Sequence, residues 1–237
     1  MNEKKPNQRV PFALLHNGRL IDISQAESGL LPEGVCPSCR GRLVARKGDQ
    51  KSHHFAHHSV TQCDSGTEAA LHLAAKQVIL DAVDTEDTLY VPELWPEGVR
   101  HRHKVFAYST RISAAVPEVS ISIPSGRRIP DVLASTDKGK LAIEVAVFSF
   151  VDEEKREFYE QSGLDCIEIN LGHLVEKFAD TEATLLLLSD AVLHDKTNRV
   201  WINNAAQSQS IIETEVSTVQ EIYPYFGQYV ISKPSSN

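Results

Sequence analysis

Two carboxylates, Asp131 and Glu144, lie in the stretch RRIPDVLASTDKGKLAIEVAVFSF, residues 127–150. The stretch reads as two strands joined by a tight turn at Thr136-Asp137-Lys138-Gly139. Residues 141–148 are apolar at every position except Glu144, a pattern that suits a strand covered on both faces. A carboxylate in such a strand calls for a partner or a metal. If Thr136 faces Gly139, Asp131 faces Glu144, and side chains so opposed have Cβ atoms roughly 4.5–5.5 Å apart. Two carboxylates that close repel unless a proton or a cation lies between them. Oxygen ligands of this kind suit Mg²⁺ or Mn²⁺. A register slip of one residue would separate them onto opposite faces and leave an ordinary acidic pair near solvent.

A second chemical group lies earlier. Cys36-Pro37-Ser38-Cys39 is a CxxC knuckle, and His54-Phe55-Ala56-His57 follows after fourteen intervening residues. Cys36, Cys39, His54 and His57 make a closed four-ligand zinc set of structural type. The HxxH spacing is shorter than usual, so His53, His58 and Cys63 are alternative ligands. A third group, Glu68, His72 and Lys76, recurs every four residues within 65–83, where a helix is expected. Leu71, Ala74, Ala75, Val78 and Ala82 form its apolar face, and Ser65 with Glu68 matches a capping box.

These residues resemble the competence protein CoiA-like family over roughly residues 10–175. Pro130-Asp131, twelve residues and then Glu144 is similar to the PD-(D/E)XK nuclease pattern, and its order after the cysteine and histidine cluster strengthens the likeness. The resemblance implies an α/β fold: a restriction-endonuclease-like mixed sheet flanked by helices, with a small amino-terminal zinc-finger module. It implies a Mg²⁺- or Mn²⁺-dependent DNA endonuclease or exonuclease, acting in DNA uptake, repair or defence against foreign DNA. Asp131 and Glu144 would hold the catalytic metal, and Glu118 is either a third ligand or a solvated glutamate at a strand edge. It also points to Cys36, Cys39, His54 and His57 for zinc, and to Glu68, His72 and Lys76 as an edge of the active site. The family pattern places lysine two residues after the glutamate, where this chain has Ala146. Lys155, where some relatives carry a lysine, or Lys76 would replace it. The alternative is a nuclease fold without chemistry, serving as a DNA-binding or protein-assembly module. A zinc-dependent adaptor is a further rival.

The elements that must position these groups are expected as follows. Asn17-Gly18 between apolar runs signals a hairpin with a type I′ turn. Residues 88–91 form a strand, and 101–116 hold one or two more. Glu118 precedes an alternating strand. Asp152 caps a helix running to Gln161, with Gly163 as its stop. Residues 165–171 form the next, parallel strand, whose Glu168 either approaches the site or has a structural role. Helices are expected at 173–179 and 181–193, a short strand at 198–202 and a helix at 205–222. The expected domains are a hairpin and zinc-binding module at 1–64, a nuclease-like domain at 65–204, and an extension at 205–237.

Across the 237 residues the net charge is −8, which argues against indiscriminate nucleic-acid binding. The charge is uneven: residues 1–60 carry +4 and the remainder −12. Phosphate contacts are therefore expected from the first third, with Arg100, Arg102, Lys104, Arg111, Arg127 and Arg128. DNA is the expected partner, with a homodimer or a protein partner in a larger nucleic-acid-processing complex. No apolar run spans a membrane, and the amino terminus has no secretory h-region. A cytoplasmic protein is expected, with four cysteines better suited to metal than to disulfides.

Overall fold

The structure is a computed structural model that describes residues 9–59, 63, 65–93, 106–180 and 182–205. By contact the chain forms two compact units, interleaved rather than consecutive. The first comprises residues 1–81, 145–149 and 170–194, and the second 82–144, 150–169 and 195–237. Among the described residues no helix is long and apolar enough to cross a membrane.

The first unit opens with strands β1 (Ala13–Leu15), β2 (Leu20–Ile21), β3 (Gly29–Val35), β4 (Arg42–Arg46) and β5 (His54–His57). They make an antiparallel sheet in the order β2-β1-β3-β4-β5. The expected first hairpin is present, but its turn is not type I′. Leu15 and Arg19 close a three-residue loop, the Gly18 amide donates to the Leu15 carbonyl, and only Gly18 has positive φ, at 83°. Type I′ needs positive φ at both central residues, and Asn17 does not adopt it. Helix α1 (Gly66–Thr85) follows, with the expected apolar face buried.

The second unit is built on β6 (Thr88–Val91), β7 (Tyr108–Pro117), the small hairpin β8 (Ile121–Ile123) and β9 (Gly126–Arg128), β10 (Val132–Thr136), β11 (Gly139–Ala146), helix α2 (Glu153–Ser162) and β12 (Asp165–Asn170). Helices α3 (Gly172–Asp180) and α4 (Leu185–Leu193) belong to the first unit, and β13 (Arg199–Asn203) returns to the second. The large sheet has the order β13-β12-β11-β10-β7-β6. In β10 and β11, Thr136 pairs with Gly139 and Val132 with Ile143, the register derived from the turn. Arg127 and Arg128 do not extend β10 as the sequence suggested. They pair with β8 in the separate hairpin.

Helix α2 has the expected stops. The Asp152 carboxylate accepts the Lys155 amide, and Gly163 takes the left-handed conformation at φ 61°. Its apolar side enters a core of Ile121, Leu133, Ala142, Phe158, Tyr159, Cys166 and Ile202. The sheet is strongly curled, so its two outermost strands meet through side chains. The Arg199 guanidinium on β13 donates to the Tyr90 carbonyl on β6 at 2.7 Å, and the Trp201 indole donates to the Pro92 carbonyl at 2.9 Å. The expected helix at 205–222 and the Arg100, Arg102 and Lys104 cluster lie outside the described residues.

Candidate functional site

In the first unit, the knuckle between β3 and β4 is shaped by backbone bonds. The Cys36 amide donates to the Gly41 carbonyl at 2.9 Å, and the Arg40 amide to the Cys36 carbonyl at 3.0 Å. Arg40 adopts φ 59° to complete the turn. Strand β5 runs beside β4 and brings His57 opposite Leu43. The donor atoms of Cys36, Cys39, His57 and Cys63 all lie within 4.8 Å of one another. Cys36 and Cys63 sulfurs are 3.8 Å apart, and Cys39 Sγ is 3.3 Å from His57 Nε2. Tetrahedral zinc at its usual Zn–S length spaces two sulfurs about 3.8 Å apart. Three thiols and one imidazole therefore suit zinc, with no coordination position left for substrate.

Cys63 thus takes the place expected for His54. The reason is the period of a strand: residues 54 and 57 are three apart, so they point to opposite faces of β5. The His54 ring nitrogen Nδ1 instead lies 2.9 Å from the Ser52 carbonyl. The spacing HxxH would suit a helix, and the intervening Phe55-Ala56 pairs with β4 instead. Burial pushes the metal-free Cys36 thiol up to about 12, and burial also lowers His57, which favours its neutral, ligating form. The start of α1 packs against the thiols. A Cβ at Gly66 would stand 3.1 Å from Cys63 Sγ and 3.4 Å from Cys36 Sγ. The positive end of that helix favours thiolate over thiol. Ser65 Oγ lies 2.7 Å from Ser38 Oγ, tying the helix start to the knuckle.

In the second unit, Asp131 lies one residue before β10, next to the Val132–Ile143 pair, and near enough to Glu144 for its charge to be felt there. Pro117 of β7 pairs with Val132, so Glu118 lies next to that pair on the third strand. The Glu118 amide donates to the Asp131 carbonyl at 3.2 Å, and Glu118 is exposed with φ 53°. Glu144 is buried, at 3 % exposure. Lys155 Nζ, from the first turn of α2, lies 2.7 Å from its Oε2, and the Tyr159 hydroxyl donates to its Oε1. Lys155 and Tyr159 are four residues apart, hence on one helical face. Burial raises the Glu144 pKa, Asp131 adds to the rise, and Lys155 and Tyr159 oppose it.

Ala146 lies two residues beyond Glu144, on the same face of β11. Residue 146 offers only a methyl group, and the ammonium beside Glu144 is that of Lys155. Glu168 on β12 is also buried, and its Oε2 accepts the Val151 amide at 2.6 Å. Its pKa is raised by burial, against the fields of Arg156 and Lys155. Asp131, Glu144 and Lys155 are thus brought together. Glu68, His72 and Lys76 lie on α1 in the first unit, with Lys76 buried. Tyr159 was not foreseen: as an aromatic on an amphipathic helix it is indistinguishable in sequence from a core residue. Of the arginines expected to meet phosphate, Arg111 pairs with Glu86 at 2.7 Å, Arg128 pairs with Glu154, and Arg127 is exposed.

The family model described as competence protein CoiA, N-terminal domain, matches residues 33–66. That stretch contains all four donors of the cysteine and histidine group and ends at the first residue of α1. It supports the CoiA-like resemblance, and it does not extend to Asp131, Glu144 or Lys155. No curated protein and no solved structure matches the chain.

Proposed function

We propose that the protein is a CoiA-like, metal-dependent deoxyribonuclease with a competence-related role in handling DNA. The observation that carries the reading is the buried Glu144 paired to Lys155, with Asp131 close enough to act on its charge. Mg²⁺ or Mn²⁺ would be held by these two carboxylates, with Glu118 beside them, and when bound would polarise a scissile phosphate and lower the pKa of an attacking water. The residues of the chain prepare that site. Tyr159 fixes one oxygen of Glu144, so the carboxylate is oriented before any cation arrives. Lys155 carries positive charge to the strand face where Ala146 offers only a methyl group, and it can exchange Glu144 for a phosphate oxygen or water. The strand–strand–helix–strand order β10, β11, α2, β12 supports this reading. The zinc module braces the first unit.

The test is cleavage of linear and circular DNA with Mg²⁺, Mn²⁺ or EDTA, using intact protein and Asp131→Asn. Cleavage that needs the divalent cation and disappears in Asp131→Asn supports the reading. Undiminished cleavage by a rigorously pure Asp131→Asn protein refutes it. Ala146 favours a second reading, a non-catalytic DNA-binding or assembly module. Salt-sensitive DNA binding without cleavage by the intact protein under any of these metals would select it.

A further inference from the structure

Four consecutive residues of β12, Cys166 to Ile169, are buried, and Glu168 is the charged member of the run. Cys166 packs with Phe158 and Tyr159 of α2 in the core of the second unit. Glu168 is two residues further on, so its side chain leaves the same face of the strand and also turns toward α2. A carboxylate there carries a desolvation cost that an apolar side chain would not. Against that cost stands a specific bond, in which its Oε2 accepts the Val151 amide at 2.6 Å.

Val151 immediately precedes Asp152, the cap of α2. Two carboxylates therefore fasten the entry to this helix. Asp152 accepts the Lys155 amide at 2.8 Å from within the turn, and Glu168 ties Val151 to the sheet. The turn so fastened carries Lys155, whose Nζ reaches Glu144 Oε2 at 2.7 Å. Beyond that turn α2 has other anchors. Phe158 and Tyr159 are buried, and the Arg156 guanidinium donates to the Ile202 carbonyl at 3.1 Å. Loss of the Glu168 bond would thus loosen the first turn and leave the rest of the helix seated.

We propose that Glu168 is a positioning residue of the candidate nuclease site: by holding the Val151 amide it sets where Lys155 meets Glu144. Its effect on catalysis rests on the nuclease reading, whereas its effect on the placement of Lys155 does not. The bond needs an acceptor oxygen and not a negative charge. Glu168→Gln keeps the acceptor, and Glu168→Leu removes it at similar volume.

Acetylation of the full chain by a limiting reagent, read by mass spectrometry, measures the accessibility of Lys155 against the exposed Lys138 and Lys140 in the same sample. An unchanged far-ultraviolet spectrum establishes that each variant folds. Lys155 should react roughly threefold faster or more in Glu168→Leu, because its ammonium is no longer held against Glu144, and at the intact rate in Glu168→Gln. Should Glu168→Leu fail to fold, Val151→Pro removes the donor with Glu168 in place, and the same increase is expected. Equal labelling of Lys155 in the folded variant that lacks the acceptor or the donor overturns the proposal, as does faster labelling in Glu168→Gln. DNA cleavage with Mg²⁺ or Mn²⁺ gives the second readout. Glu168→Leu should lower kcat by about ten- to a hundredfold with KM nearly unchanged, and Glu168→Gln should retain the intact kcat. An unchanged kcat in folded Glu168→Leu overturns the catalytic part. If the intact protein cleaves no DNA under either metal, the nuclease reading fails, and the labelling result alone decides whether Glu168 places Lys155.

Discussion

Replacing Lys155 by Met keeps most of the apolar stem and removes the charge facing Glu144. The Glu144 side chain is 4 % exposed and that of Lys155 27 %, so the pair is largely shielded from solvent. Removing one partner of such a pair costs roughly 3–5 kcal/mol when the other charge is left uncompensated. A carboxylate can avoid that cost by taking up a proton, and this sets a ceiling. From its ordinary value of 4.5, protonation up to pH 7 costs about 3.4 kcal/mol, at about 1.4 kcal/mol per pH unit. Glu144 is already raised by burial in the intact protein, and losing Lys155 raises it further. Between 4.5 and the raised folded value, the unfolded chain has released a proton that the folded chain retains. Stability therefore falls as pH rises through that window, and the window is wider in the variant. The expected loss relative to intact protein is roughly 1–3 kcal/mol at pH 7.5, and smaller by at least about 1 kcal/mol at pH 5.5. Urea unfolding followed by tryptophan fluorescence suits the measurement, because Trp201 is buried in the second unit. Adding Glu144→Gln to Lys155→Met should abolish the extra pH dependence. A loss that is equal at pH 5.5 and 7.5 would refute the assignment of Lys155 as the counter-charge of Glu144.

Other outcomes follow from the same geometry. Metal analysis of protein purified without added metal should give one zinc per chain, lost in Cys63→Ser and retained in His54→Ala; the reverse pattern would restore His54 as the ligand. Gly172→Ala would bring a Cβ to 2.8 Å from the Val147 carbonyl oxygen, a backbone atom that cannot easily yield. It should lower stability by about 1–3 kcal/mol, read as a fall in thermal midpoint by circular dichroism, and an unchanged midpoint would show that the approach relaxes freely. Tyr159→Phe should leave the chain folded and weaken Mn²⁺ binding in a calorimetric titration, since Glu144 loses the donor that orients one of its oxygens.

The β10–β11 register was legible because a short turn fixes it: Thr136 opposite Gly139 carries through to Val132 opposite Ile143. Helix α2 was legible at both ends because Asp152 and Gly163 carry local chemistry that needs no tertiary context. The metal set was legible as a cluster and misassigned in one member. Ligand spacing was read without the strand period, which separates His54 from His57 and leaves room for Cys63. Tyr159 carries no local signal, since its role depends on Glu144 arriving from a strand fifteen residues earlier. The β8–β9 hairpin was missed because Arg127 and Arg128 are polar and the apolar pattern belongs to β8 alone.

The meeting of β6 and β13 across the curled sheet has a consequence for how the protein is made. The two bonds that join these strands link residues 109 positions apart. At ordinary translation rates, roughly 5–20 s pass between synthesis of Tyr90 and of Arg199. Throughout that interval β6 can pair with β7, while the side-chain bonds it receives from β13 are still missing. A newly made strand with an open edge can recruit another nascent chain on the same messenger. The arrival of Arg199 and Trp201 ends that exposure, so truncation before residue 199 should yield protein that aggregates during synthesis rather than a smaller folded unit.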